Sequence, residues 1–126
     1  AVGKVIAASR ENGGEGKPIH VQHALSWAST EEEAVANALD QWGPVSAAGD
    51  TNWNVSRPAD FDAIGALVGE KTIRERVAIS ADPGWHRQRI AELMALGVTA
   101  VHLHCVGRNQ AAFIETFGRD VLPGLR

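Results

Sequence analysis

Residues 98–110, VTAVHLHCVGRNQ, carry the reading of the fold. Val98, Ala100, Val101, Leu103, Cys105 and Val106 form an apolar, β-branched-rich run closed by Gly97 and Gly107. It is too short for a helix and matches a parallel strand buried on both faces. Only His102 and His104 interrupt it. Side chains alternate across a strand, so the two imidazoles share a face, near the carboxyl end where α/β folds bind their ligands. A last helix opens near Asn109, with Phe113, Ile114, Phe117 and Val121 inward, and Pro123-Gly124 ends it.

Upstream of this strand, Asp82-Pro83 is a strong helix start, a carboxylate at the cap and a proline at the first helical position. Ile90, Leu93, Met94 and Leu96 give that helix an apolar face, and Gly97 is its stop. Before it lie one helical turn at Thr72–Arg76 and a strand, Val77-Ala78-Ile79-Ser80. A short helix opens at Pro58 with Phe61, Ile64 and Val68 on one face, closed by Gly69. Residues 45–57 have no period and read as a long connection, with Trp53 expected to cover the local core.

Thr30-Glu31-Glu32-Glu33 is a capping box, and the helix after it turns Ala34, Val35, Ala38, Leu39 and Trp42 inward until Gly43-Pro44. Pro18–Trp27 alternates Ile19, Val21, His23 and Leu25 against His20, Gln22, Ala24 and Ser26, a strand with one polar face. At the start, Val2, Val5 and Ile6 have helical spacing up to Gly13-Gly14. There is no initiator Met, so the beginning reads as a trimmed terminus or as a piece of a longer protein.

Strands alternating with helices predict parallel strands and right-handed crossovers. Three strands make a narrow sheet, which leaves at least one long edge open to another chain. With 126 residues, 44% of them apolar and 21% charged, the chain is expected to be one soluble domain spanning residues 1–126. A net charge of −3 without a basic stripe argues against nucleic acid and anionic lipid, and no apolar run is long enough for a membrane span. The single Cys105 excludes an internal disulfide and fits a reducing, cytoplasmic setting.

Motif chemistry is sparse. HExxH and GxSxG are absent, and His20 and His23 fall on opposite strand faces, so no metal is expected. Cys105 lies opposite the two histidines and reads as core. The candidate substrate-binding residues are Ser80, Asp82, His102, His104 and Arg108, gathered at strand ends expected to lie side by side. The turn Gly107 to Gln110 presents backbone N–H groups beside Arg108, which suits a phosphate or carboxylate. Against this, Asp82 also reads as a helix cap and Arg108 as solvated surface.

The run SWASTEEEAVANALDQW, then FDA, then ISADPGWHRQRIAELMALGVTAVHLHCVGRNQAAFIETFGRDVLPGLR resembles the C-terminal portion of the luciferase-like flavin- or deazaflavin-dependent oxidoreductases. The nearest branch is the coenzyme F420-dependent one, which includes glucose-6-phosphate dehydrogenase-like members. The resemblance is carried by His104, Gly107, Gln110, Phe113-Ile114, Phe117-Gly118 and Leu122-Pro123. It implies the C-terminal half of a (β/α)8 TIM barrel, with this chain supplying the sixth to eighth strands. It also implies F420 or FMN in the complete protein, held mostly by the N-terminal half, and leaves open whether this chain alone binds either.

No catalytic residue carries over. The implied activity is hydride transfer between cofactor and a small organic substrate, with this piece inactive alone. Partners expected are the small-molecule substrate and either the missing N-terminal half or another copy. The alternative is a non-catalytic half-barrel module that self-associates and binds at most a small anion.

Overall fold

A computed structural model describes residues 2–47 and 51–125. Helix α1 (Val2–Ser9) leads through a wider turn, Arg10–Gly14, into strand β1 (His20–Ser26). The elements that follow are α2 (Glu31–Trp42), α3 (Pro58–Gly65), α4 (Glu70–Arg76), β2 (Ala78–Ile79), α5 (Pro83–Met94), β3 (Ala100–Cys105) and α6 (Gln110–Thr116). The chain then continues through Phe117–Val121 and Leu122–Leu125 as further helical turns.

Local chemistry explains most boundaries. The Thr30 hydroxyl accepts from the Glu33 backbone N–H at 3.2 Å, and the Asp82 carboxylate accepts from the Gly84 N–H at 2.7 Å, so both caps form as the sequence dictates. Gly13 and Gly97 take φ of +86° and +75°, which only glycine adopts without strain, and both terminate helical segments. Gly69 does not close α3, which ends at Gly65; it caps the start of α4.

The three strands are parallel, in the order β2-β1-β3. This corrects the expected numbering of the strands. Consecutive barrel strands pair in sequence, so three successive staves would put β2 in the middle. Here β1 and β3 pair along their whole lengths, from His20 opposite Ala100 to Leu25 opposite Cys105. β2 touches β1 only at Leu25 and Ser26, a short addition at the carboxyl end.

Two apolar clusters cover the sheet. On one side Leu25, Trp27, Cys105 and Ile90 meet Phe113, Phe117 and Val121. The stripe Phe113, Phe117, Val121 has a spacing of four, which turns the expected inward residue Ile114 out to solvent. On the other side Ala34, Val35 and Ala38 of α2 and Ile73 of α4 pack with Val77, Ile79 and Val106. Each large side chain so buried contributes about 1.5–3 kcal/mol of transfer free energy. Cys105 is a buried free thiol in the first cluster. Trp53 is 88% exposed and covers no core, contrary to expectation. No described helix is long and apolar enough to cross a membrane.

Candidate functional site

The histidines of β3 share a face, as the alternation predicts, and β1 supplies their partners. His20 Nδ1 and His102 Nε2 stand 3.0 Å apart with the rings stacked, and the Gln22 amide donates to His104 Nδ1 at 3.0 Å. The strand register makes this possible: Gln22 faces His102 and Ala24 faces His104, so the side chains meet on the diagonal. His20, Gln22 and His102 are exposed, whereas the rings of Trp42 of α2 and His104 meet near perpendicular with centroids 4.9 Å apart. The result is a polar ladder across two strands, open at its amino end and covered by α2 at its carboxyl end.

The strand ends meet at Ser26 and Trp27. Ser26 O accepts from the Ser80 N–H at 3.2 Å, and Trp27 O accepts from the Asn109 side-chain amide at 2.9 Å. Fully buried Ser26 also donates its hydroxyl to Ala34 O at 2.7 Å, tying β1 to α2. The expected convergence of three strand ends is thus observed.

Ser80 and Asp82 lie together at the end of β2, where the Ser80 hydroxyl accepts from the Asp82 N–H at 3.1 Å. Both are occupied structurally, Asp82 as the cap of α5. Three groups hold this loop, and sequence reasoning missed two of them, Glu31 and His86. The Glu31 carboxylate accepts from the Ala81 N–H at 2.9 Å and meets Arg74 at 2.9 Å. The Trp27 indole donates to Ala81 O at 3.1 Å, and His86 Nε2 donates to Ser80 O at 2.9 Å. Glu31 is held below the usual carboxylate range, first by the Ala81 N–H and then by Arg74.

His86 is fully buried against Trp85 and Phe117, and its Nδ1 has no partner among the described residues. Burial pushes it below the ordinary histidine value, despite the Ser80 carbonyl and the nearby Asp82 and Glu31. Burial lowers His23 likewise, aided by His86 and Arg89.

Arg108 departs from its expected place. Its side chain is 79% exposed and reaches Asp40 at the end of α2, at 3.4 Å. The Gln110 amide instead closes the turn on the carbonyls of Cys105 and Gly107. The structure therefore unites His102 with His104 and Ser80 with Asp82, and leaves Arg108 on the outer surface. No group of three or more metal-ligating side chains converges among the described residues.

A parallel sheet with helices on both sides and polar groups at its ends defines an α/β fold of partial-barrel type, and solved structures agree. An F420-dependent secondary alcohol dehydrogenase, in complex with an F420-acetone adduct, superposes with a TM-score of 0.76 at 20% identity, covering 99% of this chain and 38% of that one. The chain matches no protein-family model. Among characterised proteins it is similar to the F420-dependent glucose-6-phosphate dehydrogenase of Intrasporangium calvum, at 29% identity over 85 residues, 68% of this chain and 25% of that protein. The corresponding enzyme of Mycobacterium leprae is 24% identical over 106 residues, 84% of this chain and 31% of its own length. The matched region is the C-terminal part of these relatives, as the resemblance to luciferase-like, F420-dependent oxidoreductases implies. The chain spans less than a third of the length of both enzymes.

Proposed function

We propose that this chain is the C-terminal part of an F420-dependent oxidoreductase that transfers a hydride between the deazaflavin and a small organic substrate in the cytoplasm. The observation that carries the reading is the likeness to F420-dependent relatives, which favours F420 over FMN. When bound, the deazaflavin supplies hydride acceptance; the protein positions the ring against the substrate and excludes water.

The residues present suit one wall of such a site. His20, Gln22, His102 and His104 present ring and amide groups on one sheet face, a fit for the polar edge of a planar ring or for substrate oxygens. Ser80 and Asp82 stand at the rim, and Arg108 on the outer surface. Their contacts give them the tasks of loop support, helix capping and surface pairing, so His102 and His104 are the stronger substrate-facing pair. On this reading the rest of the site comes from outside the matched region, and this piece alone turns over no substrate.

The test is a covalent chimera in which this chain replaces the matched C-terminal region of the Intrasporangium calvum enzyme. The chimera is expected to bind F420 and to reduce it with a sugar phosphate or a secondary alcohol. A folded chimera that binds no F420 overturns the proposal.

A further inference from the structure

We propose that the loop between β2 and α5, residues 80–82, is a subsite for a neutral hydroxyl of the substrate, with the Ser80 hydroxyl donating to it and Asp82 Oδ2 accepting from it. Glu31 is the positioning residue that holds this loop. The subsite rests on the functional reading above.

The main chain of the loop is fully engaged. Ser80 donates its N–H to Ser26 O at 3.2 Å, and its carbonyl accepts from His86 Nε2 at 2.9 Å. Ala81 donates to Glu31 Oε2 at 2.9 Å, and its carbonyl accepts from the Trp27 indole at 3.1 Å. Asp82 donates to the Ser80 hydroxyl at 3.1 Å, and its carbonyl accepts from the His86 N–H at 3.3 Å. The partners come from the end of β1, from α2 and from α5 as well as from the loop itself. A loop tied in this way to three separate elements is a fixed platform and not a lid.

Glu31 is the charged group among these partners. Its other oxygen meets the Arg74 guanidinium at 2.9 Å, and Arg74 also bonds Glu70 at 2.8 Å and the Ile79 carbonyl at 3.3 Å. The guanidinium therefore aims the carboxylate at Ala81 while gripping the end of β2 next to it. A charge-assisted bond of this kind is stronger than a neutral one, which makes Glu31 the residue whose loss frees Ala81 most.

What the loop offers a ligand is limited by these bonds. Its own N–H groups are taken, and the Gly84 N–H at the start of α5 is taken by Asp82 Oδ1 at 2.7 Å, so neither cradles an anion. Two valences are left on the side chains, the Ser80 hydroxyl hydrogen and Asp82 Oδ2. Asp82 is exposed, and its negative charge repels a phosphate or carboxylate. One donor beside one acceptor is the complement of a hydroxyl, which carries both functions.

The experiment uses the chimera described above, with glucose 6-phosphate and isopropanol as substrates. Glu31→Ala is expected to raise KM about tenfold for whichever is oxidised, with kcat and F420 affinity changed by no more than about twofold. Glu31→Gln keeps an acceptor for the Ala81 N–H and is expected to hold KM within about threefold of the parent. In the 126-residue chain, Glu31→Ala is expected to speed exchange of the Ala81 amide about tenfold and to leave the Leu25 amide unchanged. Asp82→Asn retains the capping oxygen and replaces Oδ2 by a donor, so KM is expected to rise.

Unchanged KM or unchanged Ala81 exchange in Glu31→Ala, or a Gln variant as impaired as the Ala variant, overturns the proposal. A lower KM for glucose 6-phosphate in Asp82→Asn places an anion at the loop and overturns it too. If Glu31→Ala does not fold, the sign of the Asp82→Asn change decides. A chimera that binds no F420 refutes the functional reading and the subsite with it. A working chimera whose KM neither substitution moves refutes the subsite alone.

Discussion

Replacing His86 by Phe separates the structural work of this side chain from its charge. His86 is fully buried and donates from Nε2 to the Ser80 carbonyl at 2.9 Å, with ring contacts at 5.1 Å to Trp85 and 5.3 Å to Phe117. Phe keeps the ring volume and loses that hydrogen bond, a net cost of about 0.5–1.5 kcal/mol. It also removes the partnerless Nδ1, whose burial carries a penalty of about 1–3 kcal/mol. The two effects oppose, so above pH 7 the variant is expected between about 0.5 kcal/mol less stable and about 2.5 kcal/mol more stable than the parent.

The pH dependence distinguishes them more sharply. Burial holds the folded-state pKa of His86 below 6.5, so below that pH the unfolded chain binds a proton that the folded chain refuses. Stability is full above pH 6.5 and falls as pH drops toward the folded value, by at most about 1.4 kcal/mol per pH unit for one proton. His23 is lowered in the same direction and adds to the loss. Urea unfolding at a series of pH values between neutral and mildly acid is the assay. His86→Phe is expected to flatten the acid slope, leaving the His23 contribution. An acid slope identical to the parent's refutes the placement of a neutral, buried His86.

Phe117→Ala empties the centre of the cluster formed with Phe113, Trp27 and Val121, and should cost about 3–5 kcal/mol, read as a fall in Tm or urea midpoint. Asp82→Ala should cost about 0.5–2 kcal/mol through the lost cap, while Asp82→Asn retains most of it; an Asn variant as damaged as the Ala variant contradicts the capping role. Arg108→Ala should change stability by no more than about 1 kcal/mol, since its pairing with Asp40 is exposed; a larger loss contradicts the surface assignment. In the F420-binding chimera, His102→Ala and His104→Ala are expected to raise the substrate KM more than they lower kcat, and the opposite split contradicts a wall role.

The fold was readable where chemistry is local. Thr30 with Glu33, Asp82 with Pro83, and Gly97 at positive φ each mark a helix boundary through groups a few residues apart. The shared face of His102 and His104 follows from strand alternation alone. Strand order was not readable, because β2 is two residues long and its place beside Leu25 and Ser26 is decided by packing far along the chain. The loop latch was missed for the same reason. Glu31 reads as one more acidic residue in a helix's first turn and His86 as one polar residue in PGWHRQR, yet folding brings Glu31 to Ala81, fifty positions away. Arg108 misled because the turn that seemed suited to an anion is closed by the Gln110 amide, which sends the guanidinium outward to Asp40.

In the proposed function this chain contributes one wall to a cofactor site built mostly by a larger barrel. Titrating the 126-residue chain with F420, followed by the cofactor's own absorbance and fluorescence, tests it most directly. No tight stoichiometric binding by the chain alone is expected. Saturation at one cofactor per chain with high affinity would contradict it and place the complete F420 site within these residues.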